Sequence, residues 1–239
     1  MDTLKENPMD AKQFVKKLVE DNQALFKASQ YNVKEYFDSK PAQEELVEHF
    51  IGRMVNERMN MVEIANAVAA MPADTPTEEL ELLTRQAQDE ARHFRMVKEV
   101  IEHMTGQPLD VAAAISAEAA KPTAKGAGLL AKYEAETDPV ALAAYQLVAE
   151  GRAEAVWNQM AECIEDEFIS TSYAKIAKDE GFHANIGGWK LEKLVQDEAT
   201  QQRVEDLVAK MRRDLYDISC RNTTAAAAGR QLVADAYGW

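Results

Sequence analysis

The chain is poor in the residues that staple or interrupt a fold. Its 239 residues include only two cysteines, Cys163 and Cys220, far apart and with no C-x-x-C pair. That excludes a disulfide framework and the usual thiolate sites for zinc or iron–sulfur clusters. Ten glycines and seven prolines are few enough to leave long stretches free for helix, which the abundant Ala, Glu, Lys, Leu and Met favour. No run reaches the ~18 apolar residues of a membrane span. The opening Met1-Asp2-Thr3-Leu4-Lys5-Glu6 carries no apolar signal region, so the expected location is the cytoplasm. Basic side chains are also short, 27 against 41 acidic, for a formal charge of -14. Phosphate binding needs clustered Lys and Arg, so no nucleic-acid partner is expected.

What the chain does have is helical periodicity. A hydrophobic share of 46% with 28% charged residues is an ordinary globular balance, and the length suits a single domain over residues 1–239. Residues 10–29 and 41–71 read as helices, joined by a connector around Tyr31 to Phe37. Thr75-Pro76-Thr77-Glu78 combines a capping box with an early proline and predicts a helix start running to about Met104. Pro108, Pro122, Gly126 and Gly128 mark residues 105–137 as a long connection. Asp138-Pro139 opens a helix to about Ile164, and another runs from about Phe168 to Val195. Segments 198–218 and 223–236 are amphipathic. The expected fold is all-α: two helical hairpins over residues 41–195 joined by one long connection, with accessory helices 10–29 and 198–236. The C-terminal pair is expected to pack across the bundle and either roof a site or form a homodimer surface.

Each of the four central helices interrupts its own apolar stripe with acid. Phe50, Met54, Met61, Ile64, Val68 and Met71 leave a place filled by Glu57, and Leu83, Ala87, Phe94, Val97, Ile101 and Met104 leave Glu90. The third stripe, from Val140 through Leu147 to Trp157 and Ile164, leaves both Glu150 and Glu154; the fourth, from Tyr173 to Leu194, leaves Glu180. An unpaired carboxylate in a dry core costs several kcal/mol. The stripes contain no Lys or Arg to offset four of them. Protonation or two divalent cations would.

His93 and His183 follow Glu90 and Glu180 by three positions, close to the same helix face. Ala87-Gln88-Asp89-Glu90-Ala91-Arg92-His93 matches Ala177-Lys178-Asp179-Glu180-Gly181-Phe182-His183 as a repeat, A-x-D-E-x-x-H. At about 1.5 Å per residue the arms Glu57–Met71 and Glu78–Glu90 agree within roughly 3 Å, as do Glu150–Ile164 and Phe168–Glu180. Both glutamate pairs should therefore share one level. Glu150 reproduces the first hairpin better than Glu154, which is left as a further ligand, a proton donor, or a buried acid paired with an arginine. Asp89 and Asp179 read either as partners of the ligand histidines or as solvated acids. His49 and His103 lack a glutamate three positions earlier and read as structural or exposed. Gly181, Gly187 and Gly188 weaken their helix, which suggests close packing, a kink or substrate access.

The order Glu, E-x-x-H, Glu, E-x-x-H resembles the ferritin-like di-iron carboxylate superfamily. Asp89-Glu90-Ala91-Arg92-His93 resembles the D-E-x-R-H motif of bacterial multicomponent monooxygenases, in which the Asp supports a ligand histidine. Lys178 to Glu180 with His183, Asn185 and Gly187, and Trp157-Asn158 after Glu150, are similar to cyanobacterial aldehyde-deformylating oxygenase. The resemblance implies a ferritin-like four-helix bundle with two iron ions, Fe/Fe or Mn/Fe, on Glu57, Glu90, His93, Glu150, Glu180 and His183. Asp89, Asp179 and Arg92 would stand behind those ligands, and Tyr145, Trp157 and Tyr173 would serve as pocket or redox residues. The implied activity is an O2-dependent monooxygenase or oxidase acting on a small, hydrophobic organic substrate, with electrons from a ferredoxin or reductase. A ferroxidase, peroxide-scavenging or iron-storage protein is the alternative.

Overall fold

A computed structural model describes residues 8–121 and 128–239. Among them every regular element is helical. Helices α1 (Ala11–Asp38), α2 (Gln43–Ala69), α3 (Thr77–Thr105), α4 (Val111–Ala119) and α5 (Leu129–Lys132) are followed by α6 (Pro139–Tyr145). A π-turn, Gln146–Glu150, joins α6 to α7 (Gly151–Cys163), and α8 (Glu167–Leu194), α9 (Glu198–Asn222) and α10 (Ala227–Tyr237) complete the chain. No helix among the described residues is long and apolar enough to cross a membrane.

Local chemistry sets most of the ends. Asp138 accepts from the Val140 and Ala141 amides at 3.0 and 3.3 Å, with Pro139 just inside the helix; Asp10, Asp166 and Asp197 cap α1, α8 and α9 in the same way. Gly106 stops α3 with a positive φ of 66°. The capping box expected at Thr75 does not form: Pro76 is the N-cap of α3, with no side-chain cap bond. Pro122 and Gly126, like Met1 to Glu6, lie outside the described residues.

The connector expected at Tyr31–Phe37 is helix instead, because this stretch is interior. Val33 is fully buried, and the buried Asn32 accepts from the Ala226 amide at 3.0 Å while donating to Ser219 Oγ at 3.3 Å. That ties α1 to the turn between α9 and α10. Helices α1 and α9 reach the core as well: Phe14, Leu18, Leu25, Val204, Val208 and Met211 share one apolar cluster with α6.

The core is in two pieces. One cluster takes Ile64 and Ala67 from α2, Leu83 from α3, Val140 to Ala149, and Leu191 from α8. The other takes Phe50 and Met54 from α2, Val97 and Ile101 from α3, Val156 and Trp157 from α7, and Tyr173 and Ala177 from α8. On every one of these helices the acidic residue falls between the two sets. The polar layer divides the core.

Candidate metal centre

Glu57 on α2, Glu90 and His93 on α3, Glu150 at the end of the π-turn, and Glu180 and His183 on α8 meet in this layer, none more than 3% exposed. Their donor atoms form two groups, Glu57, Glu90, His93 and Glu180, and Glu90, Glu150, Glu180 and His183, each within 4.8 Å. Glu90 and Glu180 belong to both.

Each imidazole turns Nδ1 inward. His93 Nδ1 lies 3.5 Å from Glu57 Oε2, 3.5 Å from Glu180 Oε1 and 3.7 Å from Glu90 Oε2. His183 Nδ1 lies 3.1 Å from Glu180 Oε2 and 3.3 Å from Glu90 Oε1. The outward nitrogens cross over: His93 Nε2 faces Asp179 at 3.3 Å and His183 Nε2 faces Asp89 at 3.4 Å. With Nε2–H donating to aspartate, each Nδ1 lone pair is left for the interior. Arg92 joins both aspartates, 2.7 Å from Asp89 and 2.8 Å from Asp179.

The centre is electrostatically incomplete on its own. Glu57 Oε2, both Glu90 oxygens and His93 Nδ1 are buried with no hydrogen-bond partner. Burial drives the Glu57 carboxyl up to about 8 against the pull of His93. Burial, then Glu180 and Glu90, drives Glu150 well above the carboxylate range, and burial with Glu90 raises Glu180. Burial opposes a charge on Glu90 too, but His183 and His93 outweigh it and hold this carboxylate down. Burial likewise opposes charge on both imidazoles, and the surrounding carboxylates overcome it, raising His93 and His183 well above the usual histidine range. Ligands about 2.1 Å from a common ion stand about 3–3.5 Å apart. The inward His–Glu contacts of 3.1 to 3.7 Å lie close to that spacing, so oxygen-rich donors with one imidazole per group fit a pair of divalent ions.

The π-turn bears on Glu150. Val140 to Arg152 are all buried, so this segment is enclosed on every side. Helix α8 comes close enough that a Cβ on Gly187 would lie 2.5 Å from Leu147 N and 2.6 Å from Ala143 O. Glu154 leaves the centre and sits half-buried against Gly181, whose added Cβ would be 2.7 Å from Glu154 Oε1. Burial and Glu180 raise its carboxyl. It borders a cavity of about 790 Å³ walled by Phe26, Leu147, Gly151, Asn158 and Phe182, among others.

Tyr145, Trp157 and Tyr173, expected as pocket or redox residues, line neither this cavity nor the second one described below. Trp157 and Tyr173 pack with ring centres 4.9 Å apart and planes tilted by 58° in the apolar cluster, with Phe50 edge-on to Tyr173 at 5.3 Å. Tyr145 is buried near Glu150, its phenol pushed up first by burial. His103 is exposed and faces Asp166 at 2.9 Å, whereas His49 is partly buried. Sequence reading missed Gln86 and Gln146, each four residues before a central glutamate. Gln146 Nε2 donates to Gln86 Oε1 at 2.7 Å and Gln86 Nε2 to Glu150 Oε1 at 3.0 Å. An amide one turn from a buried acid was the available signal.

Neither a family model nor a curated protein matches this chain. Among solved structures, a TenA homolog from Pseudomonas syringae pv. tomato str. DC3000 matches 93% of this chain and 97% of its own, with a TM-score of 0.61 and 14% identity. The fold is TenA-like. So little of the chain lies outside the match that it must take in parts of both α1 and α9. The ferritin-like di-iron assignment is corrected accordingly: the whole-chain match is to a TenA homolog, and no family model of that superfamily matches. The monooxygenase or oxidase activity and the ferroxidase, peroxide-scavenging or storage alternative rested on that superfamily and fall with it. The error has a physical origin. A helix pair with E-x-x-H offsets looks the same over seven residues whatever larger fold surrounds it.

Proposed function

We propose that this TenA-like chain is a metal-dependent enzyme that holds two divalent cations on Glu57, Glu90, His93, Glu150, Glu180 and His183. The observation carrying this reading is the pair of donor groups sharing two glutamates, with buried oxygens that no protein donor satisfies. Hard carboxylate oxygens with one imidazole per ion suit iron or manganese. Bound there, such ions would supply Lewis acidity toward a substrate carbonyl or phosphoryl oxygen.

The protein's own residues have separable tasks. Asp89 and Asp179 orient the two imidazoles, and Arg92 fixes both aspartates. Gln86 positions Glu150. Glu154, on the wall of the 790 Å³ cavity, is placed to exchange a proton with a substrate there, and burial, then Glu180, raises its carboxyl. A small organic substrate would lie in that cavity, against Phe26 and Phe182 and within reach of Asn158. Its setting is the cytoplasm, a reading supported by the free thiols of Cys163 and Cys220.

The test is metal counting after equilibrium dialysis of the full chain against Mn(II), or anaerobically against Fe(II). Two ions per chain are expected. Retention of none, or of two in a chain lacking both Glu90 and Glu180, would defeat the assignment.

A further inference from the structure

A second cavity, of about 560 Å³, lies where α2, the start of α7 and the turn after α9 meet. Its wall carries Arg53, Lys121, Arg152 and Arg221, with Glu45, Glu48 and Glu118 as its acids. Those acids are already engaged. Glu48 and Glu118 each hold Lys121 at 2.8 Å, and Glu45 accepts from the Ala42 amide at 3.1 Å.

The arginines are left over. Among the described residues no carboxylate stands within ion-pair distance of Arg53, Arg152 or Arg221. Arg152 is only 6% exposed, and its Nε has no hydrogen-bond partner. Arg53 Nε is also buried and unpartnered, with the guanidinium 5.6 Å from the Trp157 ring centre. His49 Nε2, on the same wall, is a third buried polar atom without a partner. Two guanidiniums sharing a cleft repel each other, and burying their N–H groups unpaired costs more. A planar or tetrahedral oxyanion removes both penalties, because a guanidinium offers parallel donors matched to carboxylate and phosphate.

We propose that this cavity binds a small organic anion through a carboxylate or phosphate group, held by Arg152 and Arg53, with Arg221 at the mouth. None of the lining residues belongs to the six-residue centre, so the proposal stands whether or not metal binds there.

The experiment is calorimetric titration of the full chain with inorganic phosphate and, separately, with succinate, before and after metal loading. One saturable site per chain is expected for at least one anion, and the arm that binds identifies the group. Arg152→Gln and Arg53→Gln should each weaken it about tenfold or more. Because a buried substitution can unfold the chain, the exposed Arg221→Glu, at unchanged circular dichroism, gives a second reading and should weaken binding several-fold. No saturable binding in the millimolar range, binding unchanged in all three variants, or binding that appears only after metal loading would overturn the proposal.

Discussion

The two A-x-D-E-x-x-H halves build the same inner geometry by different means. In both, glutamate and imidazole face inward and the aspartate reaches the histidine of the other half, at 3.4 Å from Asp89 and 3.3 Å from Asp179. Around that core they diverge. The first half takes its companion glutamate, Glu57, from an ordinary stretch of α2; the second takes Glu150 from a π-turn. Seven residues beyond the motif glutamate, α3 has the fully buried Val97 and α8 has Gly187, the point of closest approach to that turn. Arg92 serves both aspartates, while its counterpart Phe182 lies beneath the Arg85 guanidinium at 3.9 Å. The donors are held constant and the scaffold is not, which is what a ligand-binding layer inside two unequal hairpins requires.

The largest effect should come from ligands that the halves share. Glu180→Ala removes a donor from both groups, so bound metal should fall from two ions to at most one per chain. Glu57→Ala and Glu150→Ala each touch a single group and should leave one ion. Counts after dialysis check this, and retention of two ions by Glu180→Ala would show that this glutamate is not a shared ligand.

Acidity comes next. In the metal-free protein burial raises Glu57 to about 8, so at pH 7 a cation must displace its proton. Metal affinity should rise about tenfold per pH unit for each proton displaced, up to about pH 8. The sign for folding is opposite. A carboxyl raised in the folded state contributes stability below its unfolded value near 4.5 and loses it as pH climbs through 8. Against burial, which lowers them, the surrounding carboxylates raise His93 and His183 as well, which pushes in the same direction. Asp179 does not offset this: burial works against its charge, but His93 and Arg92 hold it down to about 2, so it is ionised throughout that window. The melting temperature of metal-free protein should therefore be lower at pH 8 than at pH 5, and Glu57→Gln should flatten the slope. A rise in melting temperature between those pH values would contradict it.

Gly187→Ala tests the unequal scaffolds. An added methyl would collide with backbone atoms of the π-turn, and overpacking of this kind costs about 1–3 kcal/mol. Thermal unfolding should register that loss, and metal counting should register a weakened Glu150 group with the Glu57 group spared. Val97→Ala opens space instead and should cost a comparable amount of stability without selecting either ion.

How far these features were legible follows from their length scale. Helix positions, the four acidic interruptions and the E-x-x-H pairs are properties of a few turns, and periodicity exposes them. The choice between Glu150 and Glu154 depended on helical phase, and a π-turn alters that phase without a composition signal. It also sits in a segment buried all round, where an apolar stripe carries no direction. Extension of α1 past Tyr31 was hidden because its support is Asn32 against the Ala226 amide, a contact between opposite ends of the chain. The arginine cavity draws Arg53, Arg152 and Arg221 from three distant segments, so no local pattern announces it. The resemblance to di-iron proteins failed for the converse reason: it was entirely local, and the whole-chain path of the helices is TenA-like.

The smallest effect should come from restoring the repeat with Phe182→Arg. A new guanidinium three residues after Asp179 would give that aspartate a partner of its own, as Arg92 gives Asp89. The half-buried location limits the gain to under about 1 kcal/mol. Against it stands the loss of the Arg85–Phe182 cation–π contact, about 0.5–1 kcal/mol at such a site, and repulsion between two neighbouring guanidiniums. These terms nearly cancel, so the melting temperature should move by no more than about 2–4 °C and the metal count should stay the same. Loss of an ion on this substitution would mean that Phe182 shapes the centre directly and that the halves differ in function as well as in support.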